Sequence, residues 1–280
     1  MWFLKLGLVF GGLYLAVIAL IYAFQTSMIF PAGIAAQGRP PWPAAAIPLT
    51  VRTPEGDALQ GVRLPPAPPR DEGRLEDQAE DRLGAGFTIL GFGGNAWNAE
   101  ALALYLHGLY PGAEIVAFHY RGYPPSAGSP SAAALVADAP RIYDHVAETL
   151  ATERIVAVGL SIGTGVAAHL ASERPVAGLI LVTPYDTLEA LAAGHYPWAP
   201  VKWLLRHRIS TVDALSRVDA PIAIIAAEHD RVIPPPRTEP VRKAARSLVF
   251  DRTIAAAGHN DLYDVATFRA AMLEALARMK

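Results

Sequence analysis

The residues best suited to chemistry lie in Gly159-x-Ser161-x-Gly163, between the apolar run Arg154–Gly159 and a helical pattern that begins at Ile162. A serine flanked by glycines at a strand-to-helix turn is forced into a sharp backbone bend. Its hydroxyl then projects beyond the sheet edge, at a helix N-terminus whose dipole favours developing negative charge. A serine hydroxyl is a weak nucleophile at its own pKa and needs a neighbouring base held by a third group. Of the eight histidines, His259 suits that task best, because Gly258-His259-Asn260 follows the last strand and precedes the last helix. His119, His195, His207 and His229 are weaker candidates, and His107, His145 and His169 fall inside helical patterns. Asp230, beyond the buried run Ile222–Ala226, is the leading candidate to orient the base, with Asp186 and Glu228 as rivals.

Acyl transfer also needs donors aimed at a tetrahedral oxyanion. The backbone N–H of Ile162 is one, and the loop after the Phe87–Gly91 strand supplies the other at Asn95, among small residues that let the backbone approach a substrate. Trp97 in that loop, Tyr120 in Tyr120-Arg121-Gly122-Tyr123, and Tyr185 are weaker candidates for substrate contact. This chemistry asks for no cofactor and no metal. With no cysteine, the chain has no thiolate nucleophile, no zinc site built from four cysteines and no disulfide. A formal charge of −2 gives no electrostatic case for a nucleic-acid partner.

These residues need a scaffold that brings several strand ends to one edge. Short apolar, β-branched runs at 49–53, 61–64, 87–91, 114–119, 154–159, 177–183, 222–226 and 247–254 alternate in the later part with helical patterns at 98–109, 131–149, 162–173, 236–245 and 261–279. Continuous apolar strands are buried on both faces, so the pattern predicts an α/β three-layer sandwich around a mostly parallel sheet. The order Ser161, Asp230, His259 is the order of α/β-hydrolases.

Ahead of the sheet, Leu6 to Phe24 is an uncharged apolar run of 19 residues, about 28 Å as a helix and close to a bilayer core of about 30 Å. It is longer than a signal-peptide core and lacks a small-x-small cleavage site, so it predicts an uncleaved transmembrane anchor over 1–24. Residues 25–48 form a tether, 49–280 the main domain, and a short lid covers about 185–215. Lys5 and the terminal amine are the nearest positive charges before Arg39. They place the N-terminus in the cytoplasm and the domain on the periplasmic, luminal or extracellular side. The charged stretch 65–84 reads as a solvated loop.

Taken together, the chain resembles the α/β-hydrolase superfamily, and within it the membrane-anchored branch of serine aminopeptidase-like and abhydrolase-domain proteins. The resemblance runs from about Leu20 to the C-terminus. It rests on Phe24 to Pro31, Gly94-Asn95-Ala96, Tyr120 to Tyr123, the Ser161 turn, Glu228 to Asp230 and Gly258-His259-Asn260. One departure is Gly93, where that branch carries a histidine; the backbone donors of the loop remain. The expected activity is cleavage of carboxylic esters by Ser161, His259 and Asp230, with lipid and thioester acyl groups among the candidate substrates. An amidase or peptidase using the same triad is the nearest alternative, and a silent binding module of the same fold is a second. The expected partners are a small-molecule or lipid acyl substrate and the membrane itself, and no sequence feature sets an oligomeric state.

Overall fold

A computed structural model describes residues 1–68 and 84–279. Most of the charged stretch 65–84 therefore lies outside the described residues.

Eight strands form one sheet: β1 (Ile47–Arg52), β2 (Ala58–Leu64), β3 (Thr88–Phe92), β4 (Glu114–Phe118), β5 (Ile155–Leu160), β6 (Gly178–Val182), β7 (Ile222–Ala227) and β8 (Leu248–Ile254). Their spatial order is β1-β2-β4-β3-β5-β6-β7-β8. β1 and β2 pair antiparallel, β2 meets β4 antiparallel, and all later pairings are parallel. Every residue of β3, β5, β6 and β7 is buried, which explains their unbroken apolar composition.

Because side chains alternate across a strand, these runs feed two separate cores. Leu90, Val116, Ala157 and Leu179 point to one face, where α4 (Ala132–Leu150) and α5 (Gly163–Glu173) pack through Leu135, Ile142, Val166 and Leu170. The helix between β7 and β8, α9 (Pro235–Ala244), joins the same core through Val241. Ile89, Ile115, Val156 and Ile180 point to the other face, against α3 (Ala99–Leu109) and α10 (Ala266–Ala277) through Leu102, Leu106, Phe268 and Met272. Helix starts are marked by local chemistry. The Asn98 side chain accepts from the Ala101 N–H at 2.8 Å, and Ser131 accepts from the Ala134 N–H at 3.0 Å. The three-layer fold is the one the sequence pattern predicts.

Two boundaries differ from expectation. The last helical pattern, read as continuous from Asp261, is a single 3-10 turn at Leu262–Asp264 followed by α10. The Gly258 N–H donates to Asp261 Oδ1, so Asp261 closes the loop that carries His259 instead of opening a helix. The first helix, α1 (Trp2–Ile29), continues five residues beyond the apolar run. The segment expected to be a tether from residue 25 thus begins as helix, and a short α2 (Ala32–Ala35) follows before β1. Gln25 holds the end of α1: its amide donates to the Leu204 carbonyl at 3.2 Å and its carbonyl accepts from the Arg206 N–H at 2.8 Å.

Residues 2–17 of α1 are exposed, and the helix reaches a mean hydropathy of 2.3 over its best 18-residue window. That length and composition are enough to cross a membrane. From Ile18 onward the helix is partly covered on one side, at Ile18, Ile21, Gln25, Thr26 and Ile29. The expected lid contains α6 (Leu188–His195), α7 (Val201–Leu204) and α8 (Thr211–Leu215), closed by a bridge between Thr187 and Ser210.

Candidate active site

Parallel strands put their carboxyl ends along one edge, and the candidate residues sit just past them. Ser161 follows β5 directly, Asn95 follows β3, Asp230 follows β7 and His259 follows β8. Ser161 has φ +53°, in the left-handed region that non-glycine residues seldom adopt. Its N–H donates to the Val182 carbonyl at 3.0 Å, which fixes the bend to the neighbouring strand. The flanking glycines are there for room. A Cβ on Gly159 would lie 2.6 Å from the Gly163 carbonyl oxygen, and one on Gly163 only 2.1 Å from that of Phe92.

Three side chains then form a relay. The carboxylate of Asp230 is acceptor-only, so His259 Nδ1–H donates to its Oδ2 at 2.7 Å, leaving Nε2 to accept from the Ser161 hydroxyl at 3.0 Å. The other Asp230 oxygen accepts from the N–H groups of Val232 (2.8 Å) and Ile233 (2.7 Å), which locks the buried carboxylate. The rivals are engaged elsewhere. Asp186 accepts from the Thr187 N–H and pairs with Arg237, and exposed Glu228 accepts from the Ala256 N–H. Among the other histidines, His119 pairs with Glu100, His207 bonds Thr26, and His195 donates to the Val232 carbonyl at 2.7 Å.

Asn95 and Ile162 both face the cavity above Ser161, and among the described residues neither backbone N–H has a protein acceptor. Ile162 is also the N-cap of α5, where the helix dipole adds to its donor strength. Two tyrosines brace the Asn95 loop from behind: Tyr120 Oη–H donates to the Gly93 carbonyl at 2.7 Å and Tyr123 Oη–H to that of Asn95 at 2.9 Å. Tyr120, expected as a substrate contact, therefore does not line the cavity. Its hydroxyl is committed to the loop, and its ring packs edge-on against Tyr123. Trp97 and Tyr185 do line the cavity.

The cavity measures about 770 Å³ and reaches from Ser161 and His259 to the lid and α1. Its walls are mainly apolar, and Arg231 at its rim is its one permanently charged residue among the described lining. Sequence reading missed Tyr263, whose ring meets Trp97, Tyr105 and Phe268 edge-on at 5.4 to 5.8 Å. Burial, reinforced by Tyr105 and Asp230, raises its phenol pKa, so the ring is a neutral wall beside the relay. Its place four residues after His259 was the available signal.

With this geometry in hand, known proteins give it context. The family model described as alpha/beta hydrolase fold matches residues 89–211. An uncharacterised protein of Mycobacterium tuberculosis is 34% identical over 183 residues, covering 64% of each chain. The lysophosphatidylserine lipase ABHD12 of Danio rerio is 28% identical over 172 residues, 49% of this chain and 45% of that one. The chain thus spans less than two thirds of the length of either relative. A crystal structure of a membrane phospholipase A, a bacterial virulence factor, superposes with a TM-score of 0.61 at 16% identity, covering 100% of this chain and 99% of that one. At that identity the likeness is one of fold. The strand order, the family match and these likenesses agree on one α/β architecture. The chain has the α/β-hydrolase fold, and its residues 89–211 match the model of that family.

Proposed function

We propose that the protein is a membrane-anchored serine hydrolase that cleaves the carboxylic ester of a lipid acyl group. The observation that carries this reading is the Ser161–His259–Asp230 relay, with contacts of 3.0 and 2.7 Å, at the floor of a large apolar cavity. Ser161 Oγ attacks the ester carbonyl while His259 Nε2 takes its proton, and Asp230 stabilises the imidazolium. The N–H groups of Ile162 and Asn95 hold the oxyanion. Collapse breaks the bond to the alkoxy oxygen, and His259 returns the proton to the departing alcohol. Water, deprotonated by the same histidine, then attacks the acyl-serine; the carboxylic acid leaves and Ser161 regains its hydrogen.

The lipid preference is supported by the apolar walls, the spanning-length helix, the similarity to the lysophosphatidylserine lipase ABHD12 and the shared fold of the membrane phospholipase A. Lys5 before the apolar run supports a cytoplasmic N-terminus, with the catalytic domain across the membrane. Protease added outside sealed right-side-out vesicles should digest the domain, and digestion only after the vesicles are opened would reverse this orientation.

The deciding experiment is labelling of the full chain in detergent with a fluorophosphonate. Wild type should label, and Ser161→Ala and His259→Ala should not. A folded wild type that stays unlabelled would overturn the proposal. Parallel assays with esters and aminoacyl amides separate an esterase from an amidase using the same residues.

A further inference from the structure

The six α1 residues that reach the cavity are Ile18, Ile21, Tyr22, Gln25, Met28 and Ile29. Their spacings of three, one, three, three and one trace a single stripe along a 3.6-residue helix. This stripe belongs to the same cavity as Ser161 and His259, and across from it stand Leu191, Leu204 and Leu205 of the lid. The helix is fastened in that position. Besides the Gln25 bonds, Thr26 Oγ1 contacts His207 Nε2 at 2.8 Å, the Arg206 guanidinium lies 4.9 Å from the Tyr22 ring centroid, and Tyr14 Oη–H donates to the Trp198 carbonyl at 3.0 Å.

The stripe begins at Ile18, the first residue of the helix that is not exposed. A bilayer core of about 30 Å needs about 20 helical residues. Set on the uncharged run Leu6 to Phe24, the core takes in Ile18, Ile21 and Tyr22, while Gln25, Met28 and Ile29 lie beyond it in the cavity shared with Ser161.

We infer that α1 is one wall of the acyl-binding site, and that the acyl chain of an ester dissolved in the bilayer reaches Ser161 by sliding along the Ile18–Ile29 stripe. The anchor is then part of substrate recognition as well as attachment. This inference rests on the serine-hydrolase reading and names how that site takes its substrate.

It is tested with the full chain in phosphatidylcholine nanodiscs and a long-chain alkyl fluorophosphonate carrying a diazirine at the chain end. The expected result is attachment at Ser161 and, after irradiation, cross-links within residues 18–29. Attachment at Ser161 with cross-links confined to the lid or the loops overturns the inference alone. No attachment at Ser161 overturns the catalytic reading and this inference with it. A second measurement compares kcat/KM for p-nitrophenyl palmitate and butyrate. Ile21→Trp, on the stripe, should lower the palmitate-to-butyrate ratio about tenfold, a discrimination in the range one pocket contact provides. Leu20→Trp, on the exposed side of the same turn, should leave the ratio unchanged. Equal ratios in the two variants would refute the assigned wall.

Discussion

Two carboxylate–histidine pairs lie in this molecule, at nearly the same separation and with opposite character. Asp230 Oδ2 and His259 Nδ1 are 2.7 Å apart, and Glu100 Oε2 and His119 Nε2 are 2.9 Å apart. In the first, the far imidazole nitrogen meets a serine hydroxyl at the floor of a cavity. In the second, the imidazole is buried with no partner for its far nitrogen among the described residues, and the carboxylate also receives Arg39 from the segment between α1 and β1. One pair can pass a proton to something outside itself, and the other ties a connecting segment to α3 and to the residue that follows β4. A histidine beside a carboxylate is a catalytic arrangement only when its second nitrogen has somewhere to send or fetch a proton.

This contrast can be broken from either side. The largest effect is expected for Ser161→Ala, which should lower kcat/KM for a lipid ester by about 10⁴-fold or more while the melting temperature stays near wild type. Asp230→Asn should come close behind. It leaves the shape but favours the wrong tautomer of His259, for a loss of up to about 10⁴-fold in kcat. Equal activity in either variant would remove the relay from the mechanism.

At the second pair the readout moves from rate to stability. Burial pushes the Glu100 pKa up, but His119, Arg39 and a backbone N–H outweigh it and hold the carboxyl down at about 2, against 4.5 when unpaired. A folded pKa below the unfolded one gives stability that is complete above about 4.5 and lost as pH falls from there through about 2. Glu100→Gln should therefore flatten the acid limb of the unfolding curve. It should cost about 2 kcal/mol at neutral pH, because buried His119 loses its carboxylate while Arg39 turns to solvent. Fluorophosphonate labelling per folded molecule should be unchanged. The smallest effect belongs to Tyr123→Phe, which frees the Asn95 carbonyl. A lost hydrogen bond of about 1 kcal/mol predicts a fall in kcat of about fivefold with KM little altered.

The two pairs also show what a sequence discloses. Ser161, Asp230 and His259 were legible because each sits in a short motif at a predicted strand end, and strand order brings such ends to one edge. The double-sided burial of β5 and β7 was legible for the same local reason. The Glu100–His119 contact joins a helix to the residue just past a strand with nothing in either segment to announce it, so His119 read only as a spare base. Tyr120 was misassigned because a tyrosine near a site can face the substrate or support a loop, and only the partner of its hydroxyl distinguishes them. The α1 stripe escaped because Leu6 to Phe24 is apolar on every side. Which face meets protein is settled by Gln25 and the lid, far along the chain.

That distance has a consequence for how the protein matures. Gln25 waits for Arg206, 181 positions later, and Ser161 waits for His259, 98 positions later. Such non-local closures are the slow part of folding, since chain entropy is lost before the contact repays it. Helix α1 thus completes its own surroundings only after most of the domain has been made. A chain cut short before β8 holds Ser161 without His259, so under the proposed mechanism hydrolysis would report that β8 is in place.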